Sequence, residues 1–460
     1  MYIIYHKSCK QSIVFLILLS HFLKKSKKFE IKYLHIYFRY SIIGLNDYQN
    51  IKIIIYIFII IYNNLHLRGK KMNCAVIGAG ASGIVCAIKL KQLFPNAEVV
   101  LIEKEEIIGR KLLATGNGRC NLSNTNICYE TTFAQNIFEK NDVSKTLEFF
   151  KSIGIETITD SENRIYPLSL QASSVVKIFE NTIKKLHINL ITSANVNNII
   201  KDEHSRYTVF ITSNNTNKTL KNFDFIVIAC GGQAQKDLGS NGSGYKLLKQ
   251  FGHTPTDLLP SLVQLKSSSK HCRALKGVRR KCIVTAECNK KTIKSEYGEV
   301  LFTDYGLSGI VIMNLSEIFS KHAGEKNVVI LDLVPTMTEE EIKEHLQKNG
   351  DLIGILGIKL SEIIEKQAEK DYEKMAKFCK SWRLIITGTL GFDHAQITCG
   401  GMKTSEFTKN AESKLSKNLF ATGEVLDVQG PCGGYNLQWA FSSALTVAEE
   451  IAGRTNDKNK

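Results

Sequence analysis

Asn73-Cys74-Ala75-Val76-Ile77-Gly78-Ala79-Gly80-Ala81-Ser82-Gly83-Ile84-Val85-Cys86-Ala87-Ile88-Lys89-Leu90 is the stretch that decides the fold. A short apolar strand runs straight into G-x-G-x-x-G. A helix follows over Ala81 to Leu93, with Ile84, Val85, Ile88 and Leu93 at helical spacing. Glu98 to Ile102 is a second buried strand, and Glu103 ends it 20 residues after Gly83. Strand, glycine turn, helix and strand in this order open a doubly wound sheet. The three glycines differ in what they allow. Gly78 permits the tight turn, Gly80 lets backbone N–H groups approach a pyrophosphate, and Gly83 allows close helix-to-strand packing. Ala81 and Ser82 sit at the positive end of the helix. The Glu103 carboxylate stands where it accepts hydrogen bonds from an adenosine ribose. The expected fold class is therefore α/β, with a Rossmann-like dinucleotide-binding domain.

Upstream of this unit the sequence changes character. Residues 1–71 hold 16 Ile, 10 Lys and 8 Tyr, with no Ala, Thr or Pro. That is unlike a natural domain and like AT-rich DNA read as codons. Arg68-Gly69-Lys70-Lys71 is what a purine-rich ribosome-binding site would encode, and Met72 follows at once. We read residues 1–71 as translated upstream sequence and expect the working chain to start at Met72. A membrane anchor is the competing reading, but the apolar runs Ser12 to Leu23 and Ile53 to Tyr62 fall short of the ~20 residues of a spanning helix. No small-residue cleavage site marks a signal peptide.

The formal charge of +16 is concentrated in that segment, which holds 12 Lys/Arg and 2 Asp/Glu. The other 389 residues carry 48 basic and 42 acidic groups, a net +6 that predicts neither a nucleic-acid nor a membrane partner. Twelve cysteines are scattered without C-x-x-C or zinc spacing. No metal is expected, and free thiols fit a cytoplasmic location.

Along the chain, helices are expected at Val143 to Ile153 and Ala172 to Leu186, and strands at Tyr207 to Ile211 and Phe223 to Ala229. From Leu262 the pattern changes to strand-like stretches at Lys281 to Glu287, Glu299 to Phe302 and Val328 to Leu333. Charged amphipathic helices follow at Glu339 to Gln347 and Leu360 to Lys380. The expected division is a dinucleotide-binding domain over 72–261 and 402–456. Into it are inserted a β domain (262–335), a helical piece (336–382) and a return segment (383–401).

Three more motifs bear on chemistry. The loop Gly109 to Asn126 contains Arg110, Lys111, Asn117, Gly118, Arg119, Cys120 and Asn121, and its Arg, Lys and amide groups are donors suited to phosphate and to a flavin's carbonyls and nitrogens. Ile226-Val227-Ile228-Ala229-Cys230-Gly231-Gly232 is a buried strand ending in small residues, which avoid collision with a cofactor above them. Near the C-terminus, Gly423-Glu424-Val425-Leu426-Asp427 follows a strand, and Gly433-Gly434-Tyr435-Asn436 opens a helix. An acid there can hold ribityl hydroxyls, and a helix N-terminus can stabilise negative charge on a reduced flavin.

With these motifs in this order, the chain from about Met72 to Gly453 resembles the bacterial NAD(P)/FAD-dependent oxidoreductases of the aminoacetone-oxidase-like and bile-acid-reductase-like group. Further motifs that carry the resemblance are Asn163-Arg164-Ile165-Tyr166-Pro167, Leu301 to Gly309, and Thr422 to Asp427 followed by Gly433 to Ala440. The resemblance implies FAD in the outer domain, with β and helical insertions. It implies Glu103, Lys104, Arg110 and Lys111 at the adenosine end, Asn117 to Asn121 by the flavin, and Val196 giving backbone contacts to adenine. Gly423, Glu424 and Asp427 would face the ribityl chain. Cys230 stands where such flavoproteins carry Thr.

The implied activity is that of an FAD-dependent oxidoreductase. It would draw electrons from NAD(P)H and pass them to a small organic acceptor or to oxygen. A flavin-binding redox sensor and a flavin-dependent RNA-modifying enzyme are the alternatives, and the modest charge speaks against the second. No catalytic acid is legible; His394, Gln396 and Tyr435 are candidates. Gln396-Ile397-Thr398-Cys399-Gly400-Gly401 resembles the His-x-Thr-x-Gly-Gly turn of fumarate-reductase-type flavoproteins, with Gln in place of their substrate-binding His. A neutral amide there predicts a neutral or singly charged acceptor, such as an enone or a small amine or ketone.

Overall fold

The computed structural model describes residues 72–457. The readings of residues 1–71 lie outside the described residues. Five strands form a parallel sheet in the order Leu419–Ala421, Phe225–Ile228, Asn73–Ile77, Glu98–Ile102, Asn189–Ile191. The near-continuous apolar sequence of the inner strands follows from burial on both faces. Helix Ala81–Leu93 has no solvent face along most of its length, and Ile84, Val85, Cys86, Ala87 and Ile88 are all buried. It packs between this sheet and the last helix, Tyr435–Asp457. The segments Asn73–Ile102 and Tyr435–Asp457 thus make one layered body.

An antiparallel meander of Ala194–Lys201, Tyr207–Ser213 and Thr216–Phe223 precedes the strand Phe225–Ile228 of the parallel sheet. Its first hairpin strand carries Val196. From Leu265 onward the chain builds a closed antiparallel six-stranded barrel of Leu265–Ser267, Gly306–Ser308, Lys291–Phe302, Arg279–Cys288, Asn327–Asp332 and Trp382–Thr389. Helix Ile310–Lys321 buries Val311, Ile312, Leu315 and Phe319 against these strands. The helices after the barrel's fifth strand share its core: Ile342, Leu346, Leu360, Ile364 and Met375 belong to one apolar cluster with Val284, Leu331 and Trp382.

Several elements differ from the sequence expectation. Leu360 to Lys380 is two helices, Ile358–Gln367 and Tyr372–Lys380. Glu369 and Lys370 between them have φ of 56° and 60°, and Asp371 caps the second helix by accepting from the Lys374 N–H. Charged residues are neutral towards such a break, so the helical period runs through it undisturbed. The strand expected at Glu299 to Phe302 begins already at Lys291, because its first five residues, Lys291 to Ser295, are all exposed and mostly polar and so give no buried-strand pattern. The loop at Gly109 to Asn126 contains a short helix, Arg110–Ala114, and a 3-10 turn, Thr115–Gly118, in which Gly116 and Asn117 have φ of 58° and 55°.

Candidate functional site

The site begins at the glycine turn. A Cβ on Gly78, whose φ is 102°, would lie 2.5 Å from the Ala229 carbonyl oxygen, so only glycine lets these two strands meet. The Gly83 position is tighter still, with a Cβ 1.8 Å from the Gly78 oxygen. Gly80 is different: a Cβ there would meet nothing within 4 Å, because it faces an open cleft of about 540 Å³. The N–H groups of the first helical turn have no intrahelical acceptor and carry the helix's partial positive charge into this cleft. Glu103 closes the other side. Its Oε2 accepts the Ala79 N–H at 2.6 Å and its Oε1 the Glu105 N–H at 2.9 Å. Burial raises the Glu103 pKa, and these two N–H groups oppose that rise.

The middle of the cleft is bridged by charge. Lys111 Nζ lies 3.1 Å from Glu424 Oε2, while Glu424 Oε1 accepts the Thr398 N–H at 2.7 Å. Beyond it, Asn124 Nδ2 donates to the Gly433 carbonyl at 3.0 Å, and the Asn121 amide reaches Gly434 N at 3.2 Å. Ser123 Oγ donates to Gln438, whose amide donates in turn to Thr146 and Ser442. These contacts fix the N-terminus of helix Tyr435–Asp457 against the early loop. The far wall is formed by Leu262, Gln264, Ile310, Met313, His394, Gln396 and Cys432. Arg119 lies over the Tyr166 ring at 4.9 Å. Burial raises the Cys432 pKa, with Arg164 pulling it back, and pushes Cys230 up to about 12, with Glu103 adding to the rise.

A glycine with open space above it, a helix N-terminus and a strand-end acid along one cleft fit a dinucleotide. Residues 72–450 match the family described as HI0933-like protein Rossmann domain. The chain belongs to this family. Its relatives include a 3-dehydro-bile acid delta(4,6)-reductase of Clostridium scindens, 34% identical over 82% of this chain and 98% of the relative. A ribosomal RNA dihydrouridine synthase of Haemophilus influenzae is 29% identical over 82% of this chain and 98% of its own length. One of the same name from Escherichia coli is 27% identical over 83% and 98%. This HI0933-like chain is accordingly an FAD-dependent oxidoreductase of bacterial type.

The HI0933-like fold brings eighteen of the expected positions to the cleft: Gly78, Gly80, Ala81, Ser82, Glu103, Lys104, Arg110, Lys111, Asn117, Arg119, Asn121, Val196, Ala229, Gly231, Glu424, Gly433, Gly434 and Asn436. Gly83, Gly118, Cys120, Gly423, Asp427 and Tyr435 are not among the cleft-lining residues. Gly83 packs as its motif requires. Cys120 is buried with φ of 62° and donates its N–H to the Thr115 carbonyl. Gly423 donates to Ser443 Oγ at 2.9 Å, and Tyr435 sends its hydroxyl to the Asn126 carbonyl. Asp427, expected at the ribityl chain, lies instead beside Thr256, Glu317 and Lys321, where burial raises its pKa and Thr256 opposes. Arg110 stays with Glu105 at 2.7 Å, but Lys111, expected at the same end, turns to Glu424. Consecutive helical residues point about 100° apart.

Of the catalytic candidates, His394 and Gln396 line the cleft and Tyr435 does not. Gly400 and Gly401 serve packing: a Cβ would lie 2.1 Å from the Asp257 oxygen at one and 2.5 Å from the Leu426 carbonyl carbon at the other. Sequence reasoning misses Ile310, Met313 and Cys432. An apolar i, i+3 pair directly after Gly309 is the signal for the first two. Among the described residues no helix is long and apolar enough to cross a membrane, and no cluster of His, Cys, Asp or Glu is placed to hold a metal.

Proposed function

We propose that the protein is an NAD(P)H-linked reductase that saturates a carbon–carbon double bond next to a carbonyl, in a neutral or singly charged acceptor. The observation that carries this reading is the far wall of the cleft. There the Gln396 amide stands among Leu262, Ile310, Met313 and Ile397, with Cys432 Sγ 3.9 Å from its oxygen. In keeping with this, two kinds of relative are named for saturating a bond in a carbonyl-bearing ring.

In this reading the cleft would hold FAD, which would supply two-electron redox chemistry. The N–H groups of Gly80, Ala81 and Ser82 would bind the pyrophosphate, Glu103 would accept from the adenosine ribose, and the Val196 backbone would meet adenine. Lys104 and Arg110 would hold the adenosine end. Glu424, already fixed by Lys111 and Thr398, retains lone pairs for ribityl hydroxyls. Asn117, Arg119 and Asn121 would contact the flavin ring, and the N-terminus of helix Tyr435–Asp457 would favour negative charge on it. Gln396 donates from Nε2 to the acceptor's carbonyl oxygen, while the apolar residues around it exclude water. The Cys432 thiol, its pKa raised by burial, and His394 are the groups along this wall able to deliver a proton from Sγ or a ring nitrogen.

The test is a visible spectrum of the purified protein, followed by anaerobic titration with NADH and NADPH and then by a panel of cyclic enones and fumarate. Bleaching by one nicotinamide and reoxidation by enones is expected. No bleaching by either nucleotide, or faster turnover of fumarate than of any enone, would sink the reading.

A further inference from the structure

The sequence carries one G-x-G-x-x-G, at Gly78 to Gly83, and FAD would fill it. A nicotinamide donor therefore has to be held by other means, with its ring in the cleft and its phosphates at the rim. Gln264 meets the first need. It lines the cleft, and its buried Oε1 accepts no hydrogen bond among the described residues. A buried acceptor without a donor is costly, and a primary carboxamide entering the cleft would supply the missing N–H.

The strand that follows Gln264 meets the second need. Lys266 comes two residues later on an extended segment, so both side chains leave the same face about 7 Å apart. Lys266 is exposed and has no ion pair among the described residues. Its partners on the two adjoining barrel strands are Gly306 and Gly388. Gly306 has to be glycine, since a Cβ would lie 2.2 Å from the Leu265 carbonyl oxygen, while a Cβ on Gly388 would meet nothing within 4 Å. Lys266 thus stands between two stretches of bare backbone, which a phosphate can approach closely. This strip leads back to the cleft. The Gln264 carbonyl accepts the Leu390 N–H at 3.0 Å, and the Gly391 carbonyl accepts those of His394 and Ala395. Beyond Lys266 the positive charge continues. Residues 266–281 contain seven Lys/Arg and no Asp or Glu. Lys276 is matched by Asp304 and Arg279 by Glu299, and Arg280 is spent on the carbonyls of Leu333 and Ile355. Lys270 and Arg273 remain exposed and without an ion pair among the described residues. They stand three residues apart on helix Lys270–Ala274 and so share one face.

We propose that Gln264, Lys266, Lys270 and Arg273 form the binding site of the nicotinamide dinucleotide and select NADPH over NADH. Gln264 would accept from the nicotinamide carboxamide, and Lys266 would meet the pyrophosphate. Lys270 and Arg273 would take the 2′-phosphate, which brings a charge of about −1.5 to −2 that NADH lacks. The inference rests on the NAD(P)H-linked reading above and adds the donor's site and identity.

Its test is calorimetric titration of the oxidised, FAD-loaded protein with adenosine 2′,5′-bisphosphate and adenosine 5′-phosphate, fragments that cannot reduce a flavin. The bisphosphate should bind about ten-fold tighter or more at low salt, and the difference should shrink as salt screens the exposed cations. Lys270→Gln/Arg273→Gln should bring the bisphosphate down to the affinity of the monophosphate, and Lys266→Gln should weaken both about ten-fold. Gln264→Leu should weaken NADP⁺ about ten-fold and leave both fragments unchanged. Lys281→Gln is the control: it removes an equally exposed cation from the strand opposite in the six-stranded barrel, and should change nothing. FAD absorbance checks that each variant is folded, and Lys270→Gln alone, with a smaller loss in the same direction, serves if the double variant is not. Equal affinity for the two fragments in the wild type overturns the proposal. So does discrimination that survives in the folded double variant or is lost as much in Lys281→Gln. Bleaching by NADPH together with equal fragment affinities would sink the site and leave the reductase reading standing. Fragment discrimination as expected, with no bleaching by either nucleotide, would keep the phosphate site and count against the reductase reading alone.

Discussion

Gly80→Leu separates holding a cofactor from holding the fold. Gly80 has φ of −83° and ψ of −166°, an extended conformation open to any residue, and a Cβ there meets nothing within 4 Å. The apoprotein should therefore keep its stability to within about 1 kcal/mol, with a bias towards stabilisation because glycine's unfolded-state freedom is removed. The side chain would instead project into the space above the helix N-terminus. Keeping a pyrophosphate from two N–H groups forfeits two hydrogen bonds to a charged partner, each worth about 1.5–3 kcal/mol. The sum, about 3–6 kcal/mol, corresponds to a loss of roughly 10²- to 10⁴-fold in FAD affinity. Gly83→Ala is the opposite case, since its Cβ would sit 1.8 Å from backbone and must displace it. It should cost the fold ~1–3 kcal/mol or more. Both are read by flavin absorbance after purification, quenching of flavin fluorescence on titrating apoprotein with FAD, and thermal melts of the apoprotein. A Gly80→Leu protein that retains stoichiometric FAD would refute the reasoning. So would one whose apoprotein melts as early as that of Gly83→Ala.

Glu103→Ala should lower FAD affinity by about 1–3 kcal/mol, a five- to hundred-fold effect measured by the same titration; an unchanged dissociation constant would mean that the ribose lies elsewhere. Gln396→His should leave FAD content intact and shift acceptor preference towards dicarboxylates, and steady-state rates with fumarate and a cyclic enone check this. His253 is buried, with Nδ1 2.9 Å from Glu406 and Nε2 2.7 Å from Ser413, and burial lowers its pKa against the opposing carboxylate. An unfolded His protonates near pH 6.5 while the folded one stays neutral, so the unfolded chain binds more protons as pH falls. Stability should be full above about pH 6.5 and decline below it by up to about 1.4 kcal/mol per unit. Melts of wild type and His253→Gln across that range compare the slopes, and equal slopes would remove His253 as the cause.

What is legible in the sequence is what local chemistry dictates. The strand, glycine turn, helix and second strand from Asn73 to Ile102 sit where their spacing puts them, because each residue there answers to its immediate neighbours. Glu424 and Asp427, two acids three residues apart, look equivalent in sequence, but the 3-10 turn at Gly423–Val425 leaves Glu424 with Lys111 and Asp427 beside Thr256, Glu317 and Lys321. Helix Ile310–Lys321 is legible: Val311, Leu315 and Phe319 recur at four-residue spacing, interspersed with Asn314, Glu317 and Lys321, but sequence reasoning stops at the motif that ends at Gly309.

The joining of the two chain ends around one cleft bears on how the molecule is made. Ser82 is tied to the carbonyl of Thr422, 340 residues downstream, and Trp439 reaches back to Gly423 beneath the same helix. At about 5–20 residues per second a ribosome needs roughly 20–70 s to supply the segment that covers helix Ala81–Leu93. Over that interval the apolar run Ile84 to Ile88 of this helix must wait in water, while the barrel between, with an apolar cluster of its own, can close first. The nascent dinucleotide half therefore keeps apolar surface uncovered until the last helix has emerged. Ribosome stalling in the last forty or so codons should be far more damaging than stalling within the barrel's helices.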